Sequence, residues 1–370
     1  MNDYEGESFP EIHNPYPGTC IDNIMENRLV TLGLIQTSTT PHPNKNLELA
    51  IGKVTDVIAQ GAEIICLPEL YRSEYFPQYI GHEISGLVET LPGLSTQAFS
   101  KLAKQSGVVL IVPLLLHDQS GKIGNAAVVI DADGTVYPPY FKVHIPQDPC
   151  FFEKGYFNPG SEYHVISTRF GKIAALICYD QWFPEAARSV ALAGAEIIFY
   201  PTAIGDVIDS CPCEGEWQES WEIIQRSHAI ANSVHVAAVN RVGREGCVRF
   251  FGGSFVCDAF GALLARAGPG EETLLVQIDL SMNQVIRDSW GFFRNRRPDT
   301  YQSMCSPIRE VPREHEAVIL GDTPRNRGYH MPAEWEPHDR LWISWPHNTL
   351  TFPFIEAVEE SYIRFVSAIH

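Results

Sequence analysis

Lys172 to Glu185, KIAALICYDQWFPE, is the stretch whose reading decides the fold. Ile173 to Ile177 is a short apolar run of the length and composition of a buried strand. The run stops at Cys178, and Phe183-Pro184-Glu185 then opens a helical pattern with Pro184 suited to a first-turn position. Strand, sharp turn and helix in immediate succession are half of a βαβ unit. A cysteine at such a turn presents its sulfur at the sheet edge, where backbone N–H groups and a helix N-terminus favour a thiolate. Taken alone, Cys178 could equally be one more buried thiol, since cysteine packs as a small hydrophobe. Its position at the end of the strand argues for a nucleophile.

Outward from this unit the same alternation continues. Upstream, Leu29 to Gln36 reads as an apolar strand. Pro43-Asn44 leads into a helix through Gln60, with Leu47, Ala50, Ile51, Val54, Val57 and Ile58 on one face. Glu63 to Leu67 is the next buried strand, so the opening is strand–helix–strand, which implies parallel pairing. Helix 94–105, strand 108–116 and a hairpin of 125–131 with 135–142 around Asp133-Gly134 follow. Downstream come helix 183–193, strand 196–200, a long helix Trp217 to Asn232, and strands 235–240, 250–257 and 273–279. Such alternation predicts one large layered α/β domain.

Composition narrows the function. The 370 residues are 45% hydrophobic and 19% charged, enough for a large core, and the formal net charge is −18. No block of Lys or Arg interrupts this acidity, which argues against nucleic acid as a partner. No apolar run is long enough to span a bilayer, and the N-terminus lacks the basic-then-apolar order of a secretory signal. Nine cysteines at irregular spacing read as free thiols in a reducing compartment, so the cytoplasm is the expected location. Cys211 and Cys213 form the closest pair without a second pair at zinc spacing, so no metal is expected. Residues 1–27, polar and aperiodic, read as a mobile tail.

Two further stretches carry chemistry. In Leu67-Pro68-Glu69-Leu70, Glu69 sits just past an apolar strand, at the carboxyl edge of the sheet where sites form in open α/β folds. A partly desolvated carboxylate there can act as a general base; a loop-ordering glutamate is the alternative. In Tyr140-Phe141-Lys142-Val143-His144-Ile145-Pro146, Lys142 lies among apolar neighbours, where an ammonium is costly unless it meets carboxylates. Otherwise it is a lysine whose stem packs and whose head reaches water. Glu153 offers a second carboxylate to hold it. His144 could pair with a carboxylate of the site or be an ordinary structural histidine.

Glu69 in LPEL, Lys142 in FKVHIP and Cys178 in CYDQWFPE, in that order, resemble the Glu-Lys-Cys triad of the nitrilase superfamily of carbon–nitrogen hydrolases. Glu153 and AAVNRVG, residues 237–243, strengthen the resemblance, which covers residues 28–302. EKGYFNPG at 153–160, CYDQWFPEAAR at 178–188 and PTAIG at 201–205 are similar to the branch that acts on N-carbamoylputrescine. Tyr179 departs from the tryptophan more usual there. The resemblance implies a four-layer αββα sandwich and an amidohydrolase with Cys178 as nucleophile and Glu69 as base. Lys142 and the Tyr179 N–H would hold the oxyanion, and Glu153 would position Lys142. It implies a small cationic carbamoyl substrate, no metal or organic cofactor, and a homo-oligomer, dimer or larger. Tyr75, Tyr179, Asp180, Trp182 and the acidic segment Asp206 to Glu219 are the candidates to receive the substrate ammonium.

Residues 303–328, rich in proline and charge, read as a linker. From Gly328 onward, GYHMPAEWEPH and LWISWPHN lead into a helical pattern carrying Ile355, Val358, Tyr362, Ile363 and Val366 on one face. Residues 329–370 resemble the opening of agmatine deiminase, a guanidine-modifying family of pentein fold. The resemblance covers only the opening strand and helix, so it implies no deiminase activity; Trp342 and Trp345 would line a pocket only with the rest of that fold. That family makes carbamoylputrescine, which supports the substrate and suggests a fusion, with this chain a truncated form or an incomplete gene model. Two other readings stay open: an amidase acting on a carbamoyl amino acid or aliphatic amide, and a non-catalytic scaffold of the same fold.

Overall fold

The computed structural model describes residues 27–209, 215–306 and 355–369. They fall into two compact units that divide between Arg297 and Pro298. The first unit is built on two mixed sheets. In one, the strands run in the order Glu272–Asp279, Leu29–Gln36, Ile64–Cys66, Val109–His117, Ile123–Ile130 and Tyr140–Phe141, with Val88–Glu89 beside Val109–His117. In the other the order is Leu263–Arg266, Phe255–Cys257, His235–Val239, Ile197–Pro201, Gly171–Ala175 and Ile166–Thr168. Each has a trio of parallel strands at its centre and antiparallel strands on its flanks. A three-stranded sheet of Gly205–Val207, Val248–Phe251 and Val242–Glu245 sits apart from both.

The layering follows from the period-two alternation of the strands. Val30, Leu32 and Leu34 of the first sheet join Ile173, Ile197, Phe199 and Val236 of the second in one core between the sheets. Ile35, Ile65 and Leu110 point the other way, against Leu47, Val54, Val57 and Phe99 of helices Pro43–Ala59 and Leu94–Ser106. Gly33 allows the first helix this close, because a Cβ there would lie 3.0 Å from Ala62 Cβ and from Val57 Cγ2. Helices Pro184–Leu192 and Trp217–Asn232 pack on the second sheet through Ala186, Val190, Trp221 and Ala229. Each of the large aliphatic side chains contributes about 1.5–3 kcal/mol by leaving water. The order of layers is helices, sheet, sheet, helices.

The predicted elements are found with local changes. The expected hairpin keeps its first arm, but 135–142 pairs only by a bridge at Val136 and at Tyr140–Phe141. Pro138 and Pro139 between them have no N–H to give the ladder. The expected strand 250–257 is two strands, broken where Gly252 and Gly253 take φ of 69° and 68°. Strand 172–178 ends at Ala175, short of the cysteine. Helix Ser281–Trp290 was not predicted; Met282, Val285 and Ile286 recur at helical spacing over this short run, but the residues it buries are Ser281 and Asn283.

The expectation of free thiols is corrected. Cys150 and Cys247 form a disulfide across 97 residues, with Cα atoms 6.6 Å apart. Which loops meet is a tertiary fact that cysteine spacing does not carry. Cys66, Cys178, Cys257 and Cys305 are free, and the expectations for Cys211 and Cys213 lie outside the described residues. So do those for residues 1–26, most of the 303–328 linker, and Trp342 and Trp345. In the second unit, 3-10 turns Pro298–Thr300 and Gln302–Cys305 and helix Ile355–Ile369 are described, the helix where the sequence pattern placed one. Among the described residues no helix is long and apolar enough to cross a membrane.

Candidate active site

The two parallel trios bring their carboxyl ends to one place. Ile64–Cys66 is the middle strand of the first trio, and Glu69 follows three residues after its end. Lys142 comes one residue after Tyr140–Phe141, its N–H donating to Asn125 O at 2.8 Å and so extending the ladder. Glu153 starts a 3-10 turn, Glu153–Gly155, fixed where the Phe152 N–H donates to Pro77 O at 2.8 Å. Cys178 opens the 3-10 turn Cys178–Trp182 with φ of +43°. A non-glycine residue in that left-handed region costs of order 1–3 kcal/mol, held here by the packing around it.

Glu69, Lys142 and Glu153 are all fully buried and form one network. Lys142 Nζ donates to Glu69 Oε1 at 2.9 Å and to Glu153 Oε2 at 2.6 Å. Asn125 Nδ2 donates to the same Glu69 oxygen at 2.7 Å, and Tyr75 OH donates to Glu153 Oε1 at 2.9 Å. Glu69 Oε2 is left without a protein partner. Burial would lower the Lys142 pKa, but the Glu153 and Glu69 carboxylates outweigh it and raise it well above its ordinary value. Burial, opposed by Lys142, pushes Glu153 up to about 7. Lys142 is therefore a lasting ammonium between two carboxylates.

Cys178 lies against this network, with Sγ 3.9 Å from Ala203 O. Burial, then the Glu69 carboxylate, raises its pKa well above 9, with Lys142 pulling the other way. This corrects the expected resting thiolate. Desolvation outweighs the turn's dipole, so the sulfur keeps its proton until a base removes it. Asp180 N donates to Ile177 O at 3.0 Å, so the Tyr179 N–H precedes the first bond of the turn, where N–H groups have no acceptor within it.

The cavity in front of Cys178 has a volume of about 700 Å³ and walls that include Phe151, Tyr179, Trp182 and Trp217. Two of the four residues expected to receive the substrate, Tyr179 and Trp182, are on its wall. The other two are committed elsewhere. Tyr75 is buried behind Glu153. Asp180 accepts from Tyr140 OH at 2.7 Å, Ile177 N at 3.0 Å, and His144 N and Nδ1 at 2.9 and 2.8 Å. It ties the turn that carries Cys178 to the segment that carries Lys142, and makes His144 a structural partner that also stacks on Phe183 at 3.6 Å. Of the described residues of the segment 206–219, Val207 and Trp217 line the cavity, and Asp206 pairs with Arg249 at 2.8 Å.

Sequence reasoning missed three supports. Asn125 is the polar residue in the otherwise apolar strand Ile123–Ile130, and that contrast was the available signal. Asn240 accepts from Ile204 N at 3.1 Å and donates to Ile204 O and Gly252 O at 2.9 Å, so it holds the Ala203–Ile204 wall. Gln181 lines the cavity with its carbonyl oxygen taken by Trp221 Nε1 at 2.7 Å and Thr202 Oγ1 at 3.1 Å, and its Nε2 has no protein partner. Among the described residues no group of three or more His, Cys, Asp or Glu is placed to hold a metal ion.

A cysteine, a glutamate with one free oxygen and a buried ammonium around an aromatic cavity suit acyl transfer at a carbon–nitrogen bond. Residues 31–288 match the family model described as carbon-nitrogen hydrolase. The chain belongs to the carbon–nitrogen hydrolase family. Within it, N-carbamoylputrescine amidase of Solanum lycopersicum is 40% identical, over 76% of this chain and 96% of that protein. Citrullinase of Francisella tularensis is 34% identical, over 74% and 98%. A crystal structure of a carbon–nitrogen hydrolase from Helicobacter pylori superposes on this carbon–nitrogen hydrolase with a TM-score of 0.72 at 37% identity, covering 76% of this chain and all of that one. Residues 330–370 separately match the model for Porphyromonas-type peptidyl-arginine deiminase, in keeping with the deiminase-type segment read from the sequence.

Proposed function

We propose that the domain hydrolyses N-carbamoylputrescine to putrescine, carbon dioxide and ammonia, a step of putrescine formation from agmatine, through a thiocarbamate on Cys178. The observation that carries this is the unpartnered Oε2 of Glu69 beside a protonated, buried Cys178. Glu69 takes the thiol proton as sulfur attacks the ureido carbon. The ammonium of Lys142 has three hydrogens and spends two on carboxylates, leaving one for the developing oxyanion together with the Tyr179 N–H. Such a donor contributes about 2.7–4 kcal/mol to the transition state. Glu69 returns its proton to the leaving nitrogen and ammonia departs. It then deprotonates a water that attacks the thiocarbamate, and the thiol is restored as carbamate leaves and loses carbon dioxide. Thiol, base and ammonium fill every role.

The cavity wall favours a cationic substrate over an amino acid. Among the described residues that line it none is Lys or Arg, so a substrate carboxylate such as that of citrulline would meet no counter-charge from them. The hydrolase domain is read as 28–302 with a linker over 303–328, acting as a cytoplasmic homodimer or larger assembly. Residues 329–370 are read as the first strand and helix of a pentein fold, with helix Ile355–Ile369 in the helical position. Ammonia release from N-carbamoylputrescine by wild type and Cys178→Ala tests the reaction. Turnover that disappears in the variant is expected. Wild-type turnover of a different carbamoyl compound only would overturn the substrate, and turnover that persists in the variant would overturn the nucleophile.

A further inference from the structure

Most acids near Cys178 are already engaged and cannot read the substrate's charged end. Asp180 is saturated by four donors, Asp206 is paired at the surface, and Glu153 is held by Lys142 and Tyr75. Among the described residues, the carboxylates that line the cavity in front of Cys178 are Glu153 and Asp148. Asp148 sits at the outer side, exposed, where the described contacts give its carboxylate no cation.

Its loop is built to stay in place. Asp148 N donates to Phe151 O at 3.3 Å, and Phe151 N donates back to Asp148 O at 2.8 Å. Pro146 and Pro149 restrict the backbone on either side, and Cys150 is anchored to Cys247. The wall that Asp148 shares with Cys178 is aromatic, with Phe151, Tyr179, Trp182 and Trp217 on it. The Tyr179 phenol is raised above its ordinary pKa by burial and next by the Asp148 carboxylate, which places that charge close to the residue following the nucleophile.

Resting on the carbamoyl-compound reading above, we infer that Asp148 is the specificity-determining residue that receives the substrate's terminal ammonium. The aromatic wall takes the methylene chain, and the carboxylate and ring faces take the cation. The domain thus selects primary alkylammonium carbamoyl compounds over neutral ureas of the same length. Asp148 contacts no reacting atom, so its effect is on which substrate is bound and not on bond making.

N-carbamoylputrescine and N-butylurea, which has the same four-carbon chain but no ammonium, test this as a pair. The wild type is expected to prefer the charged compound in kcat/KM. Asp148→Asn should shrink that preference about 10–100-fold, through KM and not kcat, and Asp148→Glu should restore part of it. Turnover of N-butylurea by the same preparation shows that the variant is folded and active. A preference that survives Asp148→Asn overturns the inference and leaves the proposed reaction standing. A wild type inactive on N-carbamoylputrescine overturns the reaction itself, and the inference with it.

Discussion

The domain buries two ionic clusters, and they are built on opposite principles. Arg241 and Glu245 pair one to one at 2.5 Å. The guanidinium also donates to Ser73 O at 3.0 Å and Thr39 Oγ1 at 2.5 Å and lies over the Phe250 ring at 4.8 Å. Glu245 accepts from Tyr75 N at 2.5 Å and from Thr39 Oγ1 at 3.0 Å. Charge is balanced, and both carboxylate oxygens are used. In the other cluster two carboxylates share the single ammonium of Lys142, and Glu69 keeps one oxygen unused. A balanced pair can only hold the chain together. Excess negative charge with a spare lone pair beside a thiol leaves a place for a proton to go, and that separates the candidate site from a structural bridge.

The largest expected effect sharpens this contrast. Glu69→Gln keeps the shape and removes the proton acceptor, so kcat should fall by about 10²–10⁴-fold. Its melting temperature should hold or rise, because the network loses surplus negative charge. Arg241→Met should behave in the opposite way. It strands Glu245 without a cation, at a cost of about 3–5 kcal/mol, or roughly 6–10 °C in melting temperature. Its kcat, measured well below the transition, should fall by less than about tenfold, since the guanidinium touches no catalytic side chain and reaches the segment of Glu69 only through Leu70 O at 3.5 Å. Calorimetry and steady-state kinetics on both variants decide the matter. If Glu69→Gln melts as low as Arg241→Met, the distinction between the clusters breaks.

A smaller effect links the clusters through Tyr75, whose N–H serves Glu245 and whose OH serves Glu153. Burial raises Glu153 from 4.5 to about 7. A carboxyl with a raised folded pKa binds its proton more tightly in the fold than in the unfolded chain. Its contribution to stability is complete below about 4.5 and is lost as pH rises through about 7. Activity runs the other way if Glu153 must be ionised to hold Lys142, so kcat/KM should rise through an acid limb near pH 7 that belongs to the coupled network. Tyr75→Phe removes a donor that favours the ionised form. It should move that limb to higher pH and lower kcat at neutral pH about tenfold. A pH–rate profile with an unmoved limb would show that another group sets it.

How much of this was legible in the sequence varies with range. Helix Pro43–Ala59 was readable because one apolar stripe meets a sheet. Helix Trp217–Asn232 buries Glu222, Gln225, His228 and Asn232 beside Trp221 and Ala229, and was readable from its length without Gly or Pro. Helix Ser281–Trp290 was missed because its stripe of Met282, Val285 and Ile286 is short and is not buried. Glu69, Lys142, Glu153 and Cys178 were readable because polar groups just beyond apolar strands stand out against them. Asp180 and Tyr75 were placed in the right neighbourhood with the wrong task. Nothing local says whether a carboxylate beside a nucleophile faces the cavity or the four donors behind it. The Cys150–Cys247 pair was invisible for the same reason.

By itself, then, the chain order determined the alternation of strands and helices, the residue types at the strand ends and the family resemblance they carry. These depend on periodicity and on neighbours in sequence. The tertiary structure alone decided which oxygen of Glu69 stays free, that Cys178 rests as a thiol, and that Asp148 and not Asp180 stands on the cavity wall. Those depend on desolvation and on hydrogen-bond partners such as His144 for Asp180 and Tyr75 for Glu153, 36 and 78 residues away, which only the packed fold brings within reach.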